Sequence, residues 1–365
     1  MSERLWSKLA LIIRKAGTLP LPASDTLIEI LKNLITEEQA TFLLIFKKSP
    51  VTIEQIKQKA GLNDRELNKL LDDLMHIGII TRLPEAKTGD LIYKLAPFML
   101  ELFERTLMRG DTTEKERQLV HLYEKLFTEL TNMVQNNYDL LIPEFKNSTP
   151  WFRVVPVEEE VKIQQQIVLP YEEISKIVQN KDIIGVGHCY CRHKKDLVGD
   201  PCKLNASRET CLFFGDLAQF LMDHDFIRSI SKEEALKILK RAEECGLVHN
   251  TFYNLDDPEY KEVAICSCCK CCCVILLLYH SGLAAVNALT SYLAKTHPES
   301  CLGCGTCVEI CPMNAIELID TKSSLNEDRC IGCGLCAYHC PEHSMELIRI
   351  GLKSIFIPPP KLINI

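Results

Sequence analysis

Two segments near the C-terminus, CLGCGTCVEICP (Cys301 to Pro312) and CIGCGLCAYHCP (Cys330 to Pro341), repeat the pattern C-x2-C-x2-C-x3-C-P at an offset of 29 residues. This repeat constrains the chain more than any other feature. Two-residue gaps return successive sulfurs to one concave side of a tight loop, and Gly303, Gly305, Gly332 and Gly334 let the backbone bend there. The chain holds 19 cysteines in all, an odd number bunched as CxC, CxxC and CCC, which suits thiolate metal ligation in a reducing compartment better than disulfide pairing.

On these two motifs the segment resembles the bacterial-type dicluster ferredoxin family over roughly 55 residues. The resemblance implies one 4Fe-4S cluster on Cys301, Cys304, Cys307 and Cys340, and a second on Cys330, Cys333, Cys336 and Cys311. Zinc knuckles are the bland alternative, but four-cysteine zinc sites do not call for an interleaved eight-cysteine repeat.

A second set of cysteines lies in the interior. DIIGVGHCYC reads as a short buried strand, Ile183 to Val186, that runs into a glycine turn delivering Cys189 and Cys191. EVAICSCCKCCC repeats the plan, with Val263 to Ile265 delivering Cys266, Cys268, Cys269, Cys271, Cys272 and Cys273. If both strands end at one edge of a sheet, as in open α/β folds, their loops converge on one site. Cys202 and Cys211 follow the first loop and complete a four-thiolate set with Cys189 and Cys191. Neighbouring side chains diverge, so the six cysteines of the second loop cannot all face one metal atom. One or two further iron-sulfur centres are therefore expected, with zinc or free buried thiols as the alternatives. Cys245 is expected to be a core residue and His188 a hydrogen-bonded turn histidine; Arg192, His193, Lys194 and Lys195 either offset cluster charge, face an acidic partner or form a solvated loop.

Upstream, TEEQ at Thr36, TIEQ at Thr52 and NDRE at Asn63 are N-cap patterns, followed by a strand, the polar loop PEAKTGD and a second strand LIYKLA. This arrangement resembles the winged-helix family over roughly 70 residues, by pattern only. A recognition helix needs cations, yet NDRELNKLLDDLMHIG sets Asp64, Glu66, Asp72 and Asp73 against Arg65 and Lys69. Protein docking or dimerisation is favoured over nucleic acid. A long helix capped by Thr113 and Glu116 carries Leu119, Leu122, Tyr123, Leu126, Leu130, Met133 and Val134 on one face, to pack on the preceding unit or on a second copy. SKEEALKILKRAEECG is a scaffold helix with Ser231 and Glu234 as a capping box and Gly246 as the stop.

The fold class expected is multidomain α+β. Residues 1–24 form a basic amphipathic segment, 25–110 a winged-helix-like domain and 111–145 a connector helix. A linker, LIPEFKNSTPWFRVVP, opens a cysteine-rich α/β domain over 146–295; the dicluster ferredoxin fold takes 296–350 and a tail 351–365. The apolar stretch Val274 to Leu289 is too short to span a membrane and reads as a buried helix. No export signal is evident, so the protein is expected in the cytoplasm. Formal charge is -7, and between Pro298 and Ile350 eight acids oppose three bases, which suits a basic protein partner. Dinucleotide, phosphate-loop and catalytic-triad motifs are absent from the sequence. The expected function is iron-sulfur electron transfer, as a subunit of an anaerobic oxidoreductase complex. The alternatives are a redox-sensing transcriptional regulator and a reductase with catalysis at the interior centre. The whole arrangement resembles ferredoxin-domain proteins of anaerobic bacteria and archaea.

Overall fold

The computed structural model describes residues 2–17, 22–85, 87–161, 169–253 and 261–362. Its N-terminal unit contains α1 (Ser2–Ala16), α2 (Asp25–Leu34), α3 (Glu37–Leu43), α4 (Ile53–Ala60) and α5 (Asp64–Ile77), then a hairpin of β1 (Ile80–Pro84) and β2 (Leu91–Leu95). Capping boxes at Thr36, Thr52 and Asn63 start α3, α4 and α5, and Gly61 and Gly78 end α4 and α5 in the left-handed conformation. Ala86, within the expected polar loop, lies outside the described residues. Trp6, Leu9, Ala10 and Ile13 of α1 are buried in the same core as α2 and α3, so this amphipathic face packs within the chain.

Next come α6 (Phe103–Met108), the long α7 (Glu114–Asn136) and α8 (Tyr138–Lys146). Leu119, Tyr123, Leu126, Leu130 and Val134 of α7 are buried. Glu129 of this helix accepts the hydroxyl of Thr26 on α2 at 2.5 Å. The α7 face is thus covered by the chain's own N-terminal unit.

The rest of the chain builds one eight-stranded sheet. It comprises β3 (Phe152–Val155), α9 (Ile174–Gln179), β4 (Ile184–His188), α10 (Tyr190–Leu197), β5 (Glu209–Phe214), α11 (Gly215–Asp223), β6 (Arg228–Ser229), α12 (Lys232–Glu244), β7 (Val248–Tyr253), β8 (Glu262–Cys268), α13 (Val274–His280) and β9 (Val286–Thr296). An excursion with α14 (Thr306–Ile310), β10 (Ile316–Ile319), β11 (Lys322–Leu325) and α15 (Leu335–Tyr338) follows, before β12 (Met345–Ile357) returns to the sheet. Strand order is β12-β9-β3-β7-β8-β5-β4-β6, antiparallel throughout except where β3 meets β9.

Three boundaries differ from the sequence reading. The apolar stretch from Val274 is a helix only to His280; Gly282, at φ +82°, turns the chain and β9 begins at Val286. The linker from Leu141 contains the end of α8 and the whole of β3. The tail is mostly strand: β12 pairs with β9 along its length, with a register shift between Arg349 and Lys353 that accommodates Gly351. The repeat segment is therefore inserted between two paired strands. On α12, Ser231 Oγ accepts the Glu234 N–H at 3.2 Å, but the Glu234 carboxylate turns to Arg228 at 2.8 Å instead of closing the capping box.

Two arginines bolt the helical unit to the sheet. Arg105, buried, donates to Gly78 O at 3.1 Å and Glu101 at 2.7 Å and stacks over Phe220. Arg109 donates to His76 O at 2.6 Å and His224 O at 2.8 Å, with Phe226 beneath its guanidinium at 3.9 Å. Glu104 adjoins Arg105, and burial pushes its carboxyl up to about 7 from 4.5; one oxygen accepts Leu100 N–H at 2.9 Å and the other has no partner. Between those two pH values the folded chain holds a proton that the unfolded chain has released, so stability falls as pH rises through that window. Glu104→Gln should remove about one proton's worth of this slope, roughly 1.4 kcal/mol per pH unit. Anaerobic urea unfolding across the window measures it; equal slopes in both proteins would refute the assignment.

Candidate metal centres

The sheet's register decides which interior cysteines meet. β5 lies antiparallel between β4 and β8, so β4 and β8 run parallel and deliver their C-terminal ends to the same edge. Gly187 pairs with Cys211, Leu212 with Ile265, and Asn250 on β7 with Cys266. Cys189 caps α10 and Cys273 caps α13. Gly187 is required by close approach, since a Cβ there would meet Met108 and Ile227 at 2.8 Å.

Cys189, Cys191, Cys211, Cys266, Cys268 and Cys273, with Cys269 at one side, line a small inner cavity. All six are buried. Hydrogen bonds from Cys191 and Cys211 hold the Cys189 thiol well below the usual range, and hydrogen bonds from Cys191 and Cys268 do the same for Cys273. Burial, then donation to Cys189 and Cys273, pushes Cys191 well up. Donation to Cys189 and Cys266 raises Cys211, and donation to Cys273 raises Cys268. These sulfurs therefore share too few protons for all to be neutral and too little water for all to be charged, which is the environment a polynuclear metal centre relieves. Val274 N–H donates to Cys191 Sγ at 3.2 Å, as a backbone group would to a ligating thiolate.

Cys202 does not join this set. Its Sγ lies 3.8 Å from Cys269 Sγ and 3.7 Å from Cys271 Sγ, while Cys271 and Cys272 are 3.6 Å apart. The grouping of Cys202 with Cys189, Cys191 and Cys211 is corrected: the connection after α10 carries Cys202 across to the second loop, whereas Cys211 is held in β5. Cys245 packs beside this second group without entering it.

The basic run after Cys191 is largely internal. Arg192 is 1% exposed and donates to Ser267 O at 3.3 Å, approaches Cys269 Sγ at 3.9 Å and bonds Thr210 Oγ1. His193 donates to Asp111 O at 2.7 Å, and Lys194 is buried in an ion pair with Glu124 on α7. Lys195 pairs with Asp200 at 2.6 Å. Of these four, Arg192 reaches a thiol directly, and Lys195 senses the charge of Cys272. His188 Nδ1 bonds Arg109 O at 3.1 Å, in keeping with a turn histidine. Asn250, whose side chain hydrogen-bonds Cys268, had no signal in the sequence beyond being a polar residue in a buried strand.

In the inserted segment, Cys311, Cys330, Cys333 and Cys336 line another small cavity. Ala315 N–H donates to Cys311 Sγ at 3.2 Å. Burial raises Cys307, with the charges of Cys301, Cys340 and Cys304 adding to it, so these sulfurs lie within electrostatic reach of Cys307. Burial likewise raises Cys336, with Cys333, Cys330, Cys311 and Cys307 adding to it, so the two motifs lie side by side. Both donor sets and the enclosing N–H groups fit a cubane.

Residues 300–344 match the 4Fe-4S dicluster domain family. No curated protein and no solved structure matches the chain. Among the described residues no helix is long and apolar enough to cross a membrane. Within the matched segment Gly332, at φ +68°, lies against the Tyr292 carbonyl with no room for a Cβ. Gly332→Ala should therefore open the Cys330–Cys333 loop and cost about four irons per chain; an unchanged iron count would show that the loop tolerates the shift.

Proposed function

We propose that the chain is an iron-sulfur electron-transfer protein, working as a subunit of a redox complex. In this reading Cys301, Cys304, Cys307 and Cys340 hold one 4Fe-4S cluster and Cys330, Cys333, Cys336 and Cys311 hold another. Cysteines of the inner cavity hold a further iron-sulfur centre. Such clusters supply one-electron transfer when bound.

The observation that carries the proposal is the position of α13. It begins at Cys273, on the inner cavity, and ends at His280, whose Nε2 meets Pro312 O at 2.8 Å, one residue from Cys311. Seven helical residues span only about 10 Å. Tyr279, on the same helix, receives Arg329 beside Cys330 at 3.3 Å. Leu276, Leu278 and Tyr279 are buried and keep water from the interval. Arg192 sets a fixed positive charge against the inner thiolates. The acid excess of residues 298–350 faces the outside carrier, which should be basic.

The N-terminal unit, winged-helix-like in its order of helices and hairpin, serves in this reading as a brace and docking element. Tyr190, between Cys189 and Cys191, lies against Phe103 of α6 at 5.8 Å, so the helical unit closes the thiol cavity from behind. The C-terminal part of α5 is engaged by Arg109 and Phe226, and Asp64 at its start pairs with Lys57 at 2.8 Å, which leaves it ill-suited to a nucleic-acid groove. Six thiols where a cubane uses four favour one second reading, reductive catalysis at an unusual inner cluster.

Anaerobic purification with iron and sulfide counts tests the proposal. About twelve irons per chain are expected, against about eight for the inserted segment alone. Cys189→Ser should lose about four of them and leave the remainder. A wild-type count of about eight, with the inner thiols all reactive to alkylation, would contradict the inner centre.

A further inference from the structure

We propose that Cys202, Cys269, Cys271 and Cys272 bind a single zinc ion in a closed four-thiolate site. This site shares only Cys269 with the lining of the inner cavity and fastens the 198–208 connection to the loop between β8 and α13. The inference does not rest on electron transfer: zinc and iron are counted separately, and either reading can fail alone.

Geometry separates the two thiol groups. All four sulfurs lie within 4.8 Å of one another, with contacts of 3.6, 3.7 and 3.8 Å. A Zn–S bond of about 2.3 Å puts the corners of a sulfur tetrahedron about 3.8 Å apart. A cubane binds each cysteine through a different iron, which spaces the sulfurs more widely. Among the described residues, the sulfurs around the inner cavity form no such compact group. The run CSCCKCCC, too crowded for one metal atom, is thereby divided: Cys269, Cys271 and Cys272 group with Cys202, while Cys266, Cys268 and Cys273 line the cavity that Cys269 only borders.

The surroundings suit an ion that stays in one charge state. Four thiolates around a divalent cation leave a net negative charge, and the buried Arg192 guanidinium stands 3.9 Å from Cys269 Sγ. Residues 198–208 contain no helix or strand. The apolar cluster beneath them is small: Ala242 and Leu247 with the thiols themselves, edged by Ala206 and Cys245, while Leu204 is 42% exposed. Lys195–Asp200 and Arg208–Asp196 ion pairs hold the ends of the connection, while Cys202, with Ala206 packed beside it, meets the second loop from its middle. A closed tetrahedral set with no open position is a structural zinc site, and the metal supplies the cohesion that this thin core lacks.

The test uses the full-length protein, purified anaerobically from cells given both iron and zinc. Expected are about one zinc per chain and X-ray absorption at the zinc edge showing four sulfurs at about 2.3 Å. Cys202→Ser and Cys271→Ser should each lose the zinc, keep the wild-type iron count and become cleavable by protease within 198–208. Zinc-free wild-type protein overturns the proposal, as does zinc bound through nitrogen or oxygen, or a mononuclear ferric signal from these four thiols. If both variants fail to fold, the wild-type zinc content and absorption spectrum decide by themselves.

Discussion

Everything in this fold is arranged around sulfur that the protein has removed from water. Burying a thiolate without a counter-charge is costly, and burying many together multiplies the repulsion. The chain uses three devices against that cost: hydrogen bonds that alternate donor and acceptor around Cys189, Cys191 and Cys273, one fully buried arginine, and backbone N–H groups at Val274 and Ala315. None of these neutralises a whole ring of thiols. Metal would, and on the reading proposed above the inner cavity, the compact four-thiol group and the two cysteine sets of the inserted segment would each receive it.

The helical N-terminal unit takes its meaning from that requirement. Phe103 meets Tyr123, Phe127 and Tyr190 edge-on, at 4.8, 5.4 and 5.8 Å, so the packing of α6 and α7 continues directly into the turn that carries Cys189 and Cys191. Lys194 and His193 extend the same contact to Glu124 and Asp111. A domain that looked separable by its sequence pattern forms the back wall of the metal-binding region. Similarly, β9 and β12 make the inserted segment part of the large sheet, which fixes Cys311 relative to Cys273 through α13 and the His280–Pro312 bond.

Legibility in the sequence followed the range of the interactions. The C-terminal repeat was readable because spacing and glycines within each short C-x2-C-x2-C loop carry its local pattern, and residues 300–344 match the 4Fe-4S dicluster domain family. The capping boxes at Thr36, Thr52, Asn63 and Thr113 were readable for the same reason. The partition of the interior cysteines was not, because it depends on strand order: Cys202 and Cys211 are close in sequence, yet one faces Cys269 and the other pairs across from Gly187. For the basic run from Arg192 to Lys195 the sequence left open a solvated loop, an acidic partner or cluster charge; it is a helix with three buried members, and its partners Thr210, Asp111 and Glu124 are all remote in the chain. The second half of strand β12, from Gly351, was assigned to a tail because its partner β9 lies before the inserted segment.

The central claim is that interior thiolates carry a redox-active centre within one short helix of the Cys311 cradle. Stepwise reduction of the anaerobic protein, followed by electron paramagnetic resonance, tests it most directly. The account predicts a further reducible centre whose signal is split or broadened by magnetic interaction with the cluster held by Cys311, and which disappears when Cys273 is replaced by serine. A spectrum explained at every potential by the paired clusters of residues 300–344, and unchanged by that replacement, would contradict it.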